Sequence, residues 1–280
     1  MSRVEIPCPI CEQHSSRLWA TDIDGNVIAK CRECGMRYVN PRPADELLAD
    51  MYEHHYTREA EPLSLGAEDF RQVLVRDYQS MDRILKYTKS MPESFLDIGT
   101  GSGSFPKMLR LAGFQNVEGT DLTDANTRGL NEFGIRLSVG DLEEIRDRRF
   151  DVVTAQHVLE HVPEPNAFLT SIRNLLNPAG VLHVLVPNEA SFNSRYKTLL
   201  SRLRLKKRLF GHLAARHHLY FYERSTLCAL LEKNGFAIRY CGTQSSGKPS
   251  RLHRVTHDIM DAVSLGTWLE VVAVARDPNA

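Results

Sequence analysis

Four cysteines in two close pairs, CPIC at 8–11 and CREC at 31–34, are the first residues along the chain whose spacing points to chemistry. Residues 12–30, a gap of 19, separate the pairs. Two tight turns at this spacing aim four thiolates at one ion, the donor set of a structural zinc with no open coordination position. Cys8, Cys11, Cys31 and Cys34 are therefore expected to hold zinc, and Asp24-Gly25-Asn26 suits a hairpin turn between the two knuckles. Cys228 and Cys241 stand far away in apolar surroundings and read as core fillers.

A second set begins in SFLDIGTGSGSF at 94–105, where Gly99, Gly101 and Gly103 alternate after a short apolar run. Glycines at the end of a strand mark a place where a ligand lies against main chain. A dinucleotide fingerprint needs G-x-G-x-x-G, and Ser104 stands where its third glycine belongs, which disfavours NAD and FAD. Asp121 ends the next strand, where a carboxylate accepts the protons of both ribose hydroxyls. Asp141, in VGDLEE, ends the third strand, where an adenine amino group is held. All three elements end on the side of the sheet where such folds bind ligands.

Histidines form the third set. An imidazole has the right basicity to accept a proton at neutral pH, and the candidates are His157, His161, His217 and His218. His161 follows His157 by four residues on one helical face and also reads as a packing or capping residue near Pro163.

The elements that must position these groups are those of an α/β chain. At 280 residues, 42% hydrophobic and 25% charged, the chain has the composition of a globular protein with a real core. No apolar run approaches a membrane span, and MSRVEIPCPICEQ lacks the apolar core of a signal peptide, so a cytoplasmic protein is expected. Thirty-five basic and 35 acidic residues balance, which removes any global electrostatic case for a nucleic-acid partner. Seven strand candidates, SFLDIG, NVEGTDL, IRLSVGD, FDVVTAQ, GVLHVLVPN, FAIRYCGTQ and TWLEVVAVA, alternate with helical patterns, except that the last two fit an antiparallel hairpin. Residues 1–43 are expected to form a zinc ribbon, 44–92 a helical connector or lid, and 93–280 a Rossmann-like, seven-stranded doubly wound sheet. Residues 189–216 insert a basic amphipathic segment, with Tyr196, Leu199, Leu200 and Leu203 on one helical face. It reads as a lid that attracts an anionic acceptor, as a membrane-surface contact, or as a solvated face.

In their order, these motifs resemble the class I S-adenosylmethionine-dependent methyltransferases over about residues 93–280. LDIGTGSG resembles the family's first motif, GTDL its ribose-binding acid, GDLEEI its adenine-side motif and FDVVTAQHVLEHVPEP its fourth-strand motif. The resemblance implies that Gly99, Gly101 and Gly103 line the methionine portion of the cofactor and that Asp97 orients the loop or the amino group. It implies further that Asp121 binds ribose, Leu122 lies against adenine, Asp141 and Leu142 hold the adenine edge, and Gln156 faces the cofactor. HHLYFYERSTLCALLEKNGF resembles the HLxFF segment of the small-molecule branch that contains the ubiquinone-pathway O-methyltransferases. By that match His218 ranks first as catalytic base and His157 second. Those enzymes hold a divalent metal with E-x-x-E-H, which His157, Glu160 and His161 replace here. The ribbon followed by YVNPRP resembles methyltransferases of bacterial sugar and secondary-metabolite pathways. A small-molecule O-methyltransferase is thus expected, with a zinc-ribbon rRNA base methyltransferase and a binding-only protein as the alternatives.

Overall fold

The computed structural model describes residues 3–44, 47–48, 67–125, 127–205, 210, 213, 215, 217–245 and 260–276. At the N-terminus lie β1 (Arg3–Val4), β2 (Ser16–Thr21), β3 (Val27–Cys31), β4 (Arg37–Val39) and β5 (Arg42–Pro43). β2 and β3 form the expected antiparallel hairpin. Its turn closes because Asp22 Oδ1 accepts from the main-chain N–H groups of Asp24 (2.9 Å) and Asn26 (2.8 Å), an Asx arrangement that replaces missing ladder bonds.

The larger part contains α1 (Ala67–Leu85), β6 (Ser94–Ile98), α2 (Ser104–Leu111), β7 (Asn116–Asp121), α3 (Thr127–Asn131), β8 (Arg136–Val139) and a 3-10 turn at Leu142–Ile145. There follow β9 (Phe150–Gln156), α4 (Pro165–Leu175), β10 (Leu176–Pro187), α5 (Phe192–Arg202), β11 (Tyr220–Phe221), α6 (Arg224–Lys233), β12 (Phe236–Gln244) and β13 (Trp268–Ala275). Seven of these strands form one sheet in the order β12-β13-β10-β9-β6-β7-β8. β6 to β10 run parallel, and β13 is antiparallel to both of its neighbours. Helices cover both faces, so central strands such as β9 and the second half of β10 are buried almost throughout instead of alternating between buried and exposed residues. From β6 the chain winds outward through β7 and β8 and then returns to β9, so a crevice opens beyond the carboxyl ends of β6 and β9.

β10 begins four residues before the expected Gly180, because Leu176 already pairs with Phe150. Asn177 to Gly180 make an irregularity in the ladder, with Ala179 at φ +62°.

The ribbon and the large sheet share one core. A continuous apolar cluster runs from Cys8, Met36 and Tyr38 through Leu219 and Tyr222 to Leu159 and Val184. β11 adds to the ribbon's own sheet, giving the order β11-β4-β3-β2, with Tyr220 opposite Tyr38 and Phe221 opposite Arg37. Arg37 pairs with Glu223, and Arg42 Nη2 lies 3.0 Å from Glu164 Oε1. Lys233 Nζ and Asn166 Nδ2 both donate to the carbonyl of Pro9, inside the first cysteine knuckle, at 2.8 and 2.9 Å. Among the described residues no helix is long and apolar enough to cross a membrane.

Candidate functional site

A cavity of about 550 Å³ occupies the crevice. Its first wall is the loop after β6. Gly99 N donates to Thr120 O (2.8 Å) and Gly101 N to Asp121 Oδ2 (2.9 Å), while Asp121 Oδ1 accepts from Thr123 N (3.2 Å). One carboxylate thus straps the glycine loop to the end of β7. Gly99 sits at φ +66°, and a Cβ there would fall 2.5 Å from Val158 Cγ2, so only glycine fits. Gly101 sits at φ +49°, and a Cβ there would meet no protein atom nearer than 4.0 Å. At Gly101 the left-handed backbone argues for glycine, while no protein atom fills the space beside it.

Asp97, Gly99, Gly101, Asp121, Leu122, Asp141, Leu142 and Gln156 all line the cavity. Gly103 does not; its left-handed turn (φ +72°) starts α2 behind the loop. Asp141 has a structural duty as well, capping the 3-10 turn by accepting from Glu143 N at 2.9 Å. Burial, with smaller contributions from Asp77 and Asp121, pushes the Asp97 carboxyl up to about 7 against the opposing hydrogen bond from Thr154. Thr100 Oγ1 and Gln156 Nε2 are buried in this wall with no hydrogen-bond partner. Buried polar atoms left without partners, next to carboxylates, suit a polar cationic ligand with hydroxyl and amino groups. Leu122 stays exposed beside Asp121.

The second wall carries the histidines. His157 follows β9 in the left-handed region at φ +56°, a strained conformation for a residue with a side chain, and its N–H donates to Leu185 O at 2.7 Å. Its ring stands edge-on to Trp268 at 5.3 Å. Glu160 lies fully buried, 3.6 Å from His157 Nδ1 and 3.8 Å from His161 Nε2, and neither of its carboxylate oxygens has a hydrogen-bond partner. Burial alone would raise this carboxyl, but His157, His161 and His218 outweigh it and hold Glu160 below the usual range. His157 and His161 line the cavity. His218 lies behind His161, ring centroids 4.9 Å apart, away from the cavity wall, and burial drives it down to about 4. The two segments are laced together: Leu219 N donates to Glu160 O (2.8 Å), and His217 O lies 2.9 Å from His161 Nδ1.

Among the described residues, two donor clusters suit metal ions. The sulfurs of Cys8, Cys11, Cys31 and Cys34 lie within 4.8 Å of one another, two pairs of them at 3.4 Å. A tetrahedron of Zn–S bonds of about 2.3 Å has edges of about 3.8 Å, so the donor set fits zinc. Glu160, His161 and His218 likewise place one ligand atom each within 4.8 Å.

One cavity contributor, Arg76, carries no motif. Arg76 reaches the wall from α1, hydrogen-bonded to Asp77 through Nε (3.1 Å) and Nη2 (2.9 Å) and over the Trp268 ring. Glu160 is central to the histidine side, and its signal was present: a carboxylate between two histidines, H-x-x-E-H. Arg76 is one of many arginines on an amphipathic helix, and nothing local marks it.

The chain resembles known proteins over the same region. The family described as "Methyltransferase domain" matches residues 69–240. A "Ubiquinone biosynthesis O-methyltransferase" of Azorhizobium caulinodans is 35% identical over 135 residues, 45% of this chain and 51% of the relative, so the chain spans about half the length of the curated relatives it matches. Two solved structures share the fold at low identity. The 1,6-didemethyltoxoflavin-N1-methyltransferase of Burkholderia thailandensis, with bound S-adenosylhomocysteine, aligns at TM-score 0.56 and 16% identity over 88% of this chain and 98% of that one. The N-methyltransferase NodS of Bradyrhizobium japonicum, with S-adenosylhomocysteine, aligns at TM-score 0.52 and 15% identity over 81% of this chain and 99% of that one. With its glycine loop, its strand-end acids and a family match over more than half of its length, the chain belongs to the methyltransferase-domain family, on the class I S-adenosylmethionine-dependent fold.

Proposed function

We propose that the chain transfers a methyl group from S-adenosylmethionine to a small-molecule acceptor, most simply the hydroxyl of a biosynthetic intermediate. The observation that carries this reading is the two-walled cavity, with a glycine loop and acids on one side and a buried histidine–glutamate cluster on the other. When bound, the cofactor supplies an electrophilic methyl on a sulfonium, so the protein mainly aligns the reactants and keeps water out. Asp121 takes the ribose, Asp141 and Leu142 the adenine edge, Asp97 the ammonium, and Arg76 the carboxylate of the methionine end. His157 replaces His218 as the first choice of proton acceptor. It lines the cavity, its Nδ1 faces Glu160, and Nε2 is left to take the hydroxyl proton while Glu160 stabilises the imidazolium. His218, off the wall and poorly basic, supports Glu160 and His161 from behind. The cysteine cluster holds a structural zinc.

A second reading of the acceptor side rests on the convergent donor atoms of Glu160, His161 and His218, which suit a divalent ion that would bind an ionised acceptor. Methyl-labelled cofactor offered with metabolite extracts and, separately, with ribosomal RNA tests the function. Label is expected in a small molecule, and label only in RNA defeats the proposal. Turnover that survives a chelator, with elemental analysis still finding one tightly held zinc, supports the histidine base over the metal.

A further inference from the structure

The segment after β10 contributes no described residue to the cavity lining. From Ala190 to Tyr222 the sequence contains eight lysines and arginines and no acidic residue, although the whole chain is neutral. Within it, α5 and the turn after it expose Phe192, Tyr196, Leu199 and Leu203, each more than half accessible. Their spacing of four, three and four residues sets them in a single stripe along the helix, and the Phe192 and Tyr196 rings stack at 6.3 Å. Leu205 continues the apolar exposure. Arg195, Arg202 and Arg204 are exposed among these residues.

The stripe is fixed in place. Ser191 caps α5 by accepting from Ser194 N (3.2 Å), and Phe192 N donates to Leu265 O (3.1 Å). Buried Ser201 donates through Oγ to Lys197 O (2.9 Å) and accepts from Phe210 N (3.0 Å). The Arg202 guanidinium lies 5.8 Å from the Trp19 ring of the ribbon. α5 is thus anchored on one side while its apolar stripe stays exposed.

The chemistry of the stripe selects its occupant. A second copy of the chain would bring two acid-free basic segments together, which like charges oppose. Nucleic acid would satisfy the arginines and leave four large apolar side chains in water. An anionic bilayer satisfies both, because the apolar residues enter the boundary between headgroups and acyl chains while the cations meet phosphates. We propose that α5 is an interfacial helix that seats the protein on a membrane surface rich in anionic lipid headgroups. The proposal does not depend on which acceptor is methylated.

Co-sedimentation of the full chain with vesicles tests it, comparing phosphatidylcholine alone with phosphatidylcholine mixed with phosphatidylglycerol. Binding to the mixed vesicles is expected to be tighter by about tenfold or more and to weaken as salt rises. The double variants Leu199→Ser with Leu203→Ser, and Arg195→Glu with Arg204→Glu, are each expected to lose binding by about tenfold or more, because the apolar and ionic contributions act together. Unchanged thermal melting of both variants serves as the control for folding. Absence of wild-type binding to the mixed vesicles overturns the proposal, as does binding that the serine variant retains in full. Self-association that disappears in the serine variant, without vesicle binding, would assign the stripe to a second copy and overturn it equally.

Discussion

On its cofactor side the cavity is made largely of main chain and of carboxylates at strand ends, strapped together by Gly99 N to Thr120 O and Gly101 N to Asp121 Oδ2. On its histidine side it depends on side chains from segments far apart in sequence, with Glu160 buried between His157 and His161 and His218 packed behind. The first side is a local product of one strand-turn-helix unit and its neighbours. The second exists only when residues 157–163 and 217–222 meet and the ribbon's β4 pairs with β11. Local construction makes a site that binds one constant ligand, whereas assembled construction leaves the acceptor free to vary without disturbing the cofactor.

The sharpest way to break this division is to damage the histidine side and watch both halves. His157→Ala is expected to lower turnover about 10²–10⁴-fold and to leave cofactor affinity unchanged, since in the proposed mechanism it takes the acceptor's proton and does not hold the cofactor. His218→Ala should cost less, because His218 stands off the wall. Steady-state rates with parallel calorimetry of cofactor binding decide the matter, and equal loss of affinity in His157→Ala would show that the halves are not separate.

The converse damage is next in size. Asp121→Ala removes the strap on Gly101 and the proposed acceptor of the ribose hydroxyls, and cofactor binding is expected to weaken by about 1.5–3 kcal/mol. Calorimetry measures this directly, and near-wild-type affinity would mean that Asp121 only shapes the loop.

How much of each half was legible follows from the same contrast. Alternating glycines after an apolar run, and acids at the ends of the next two strands, are short-range patterns that physical constraints write into adjacent residues. β9 and β12 therefore fall on the expected boundaries, Phe150–Gln156 and Phe236–Gln244. β11 has only two residues, and its partner Tyr38 lies 182 positions earlier, so no periodicity could reveal it. The same holds for His218: its sequence match says nothing of whether its ring faces the cavity or stands behind His161. Arg76 stayed hidden because its role depends on where α1 docks. The ladder irregularity at Asn177–Gly180 was hidden for a different reason, since Asn-Pro-Ala-Gly reads as a turn and is drawn into β10 by Leu176 pairing with Phe150.

Zinc removal tests whether the assembled half depends on the ribbon. Cys31→Ser is expected to disorder the ribbon, loosen β4 from β11 and displace the 217–222 segment, with turnover falling about tenfold or more and cofactor affinity nearly kept. A zinc-free variant with full turnover would show that the ribbon only packs against the enzyme.

The smallest expected effect is a pH dependence that belongs to the cofactor half alone. Burial raises the Asp97 carboxyl from the ordinary carboxylate range to about 7, so the free protein carries it protonated in mild acid. Two consequences have opposite signs. Because the folded-state value is raised, the contribution of Asp97 to stability is fully present below the unfolded value near 4 and is lost as pH rises through about 7. The ligand-free protein should therefore melt lower as pH climbs across that window, as far as Asp97 governs it. Binding should run the other way, since the ammonium proposed to sit against Asp97 attracts only the ionised carboxylate. Cofactor affinity should fall about tenfold from pH 8 to pH 6, because below its ionisation point each pH unit lowers the ionised fraction about tenfold. Asp97→Asn should remove both slopes while binding weakly at every pH. Affinity that is flat across the window in the wild type would place the positive charge of the cofactor elsewhere in the cavity.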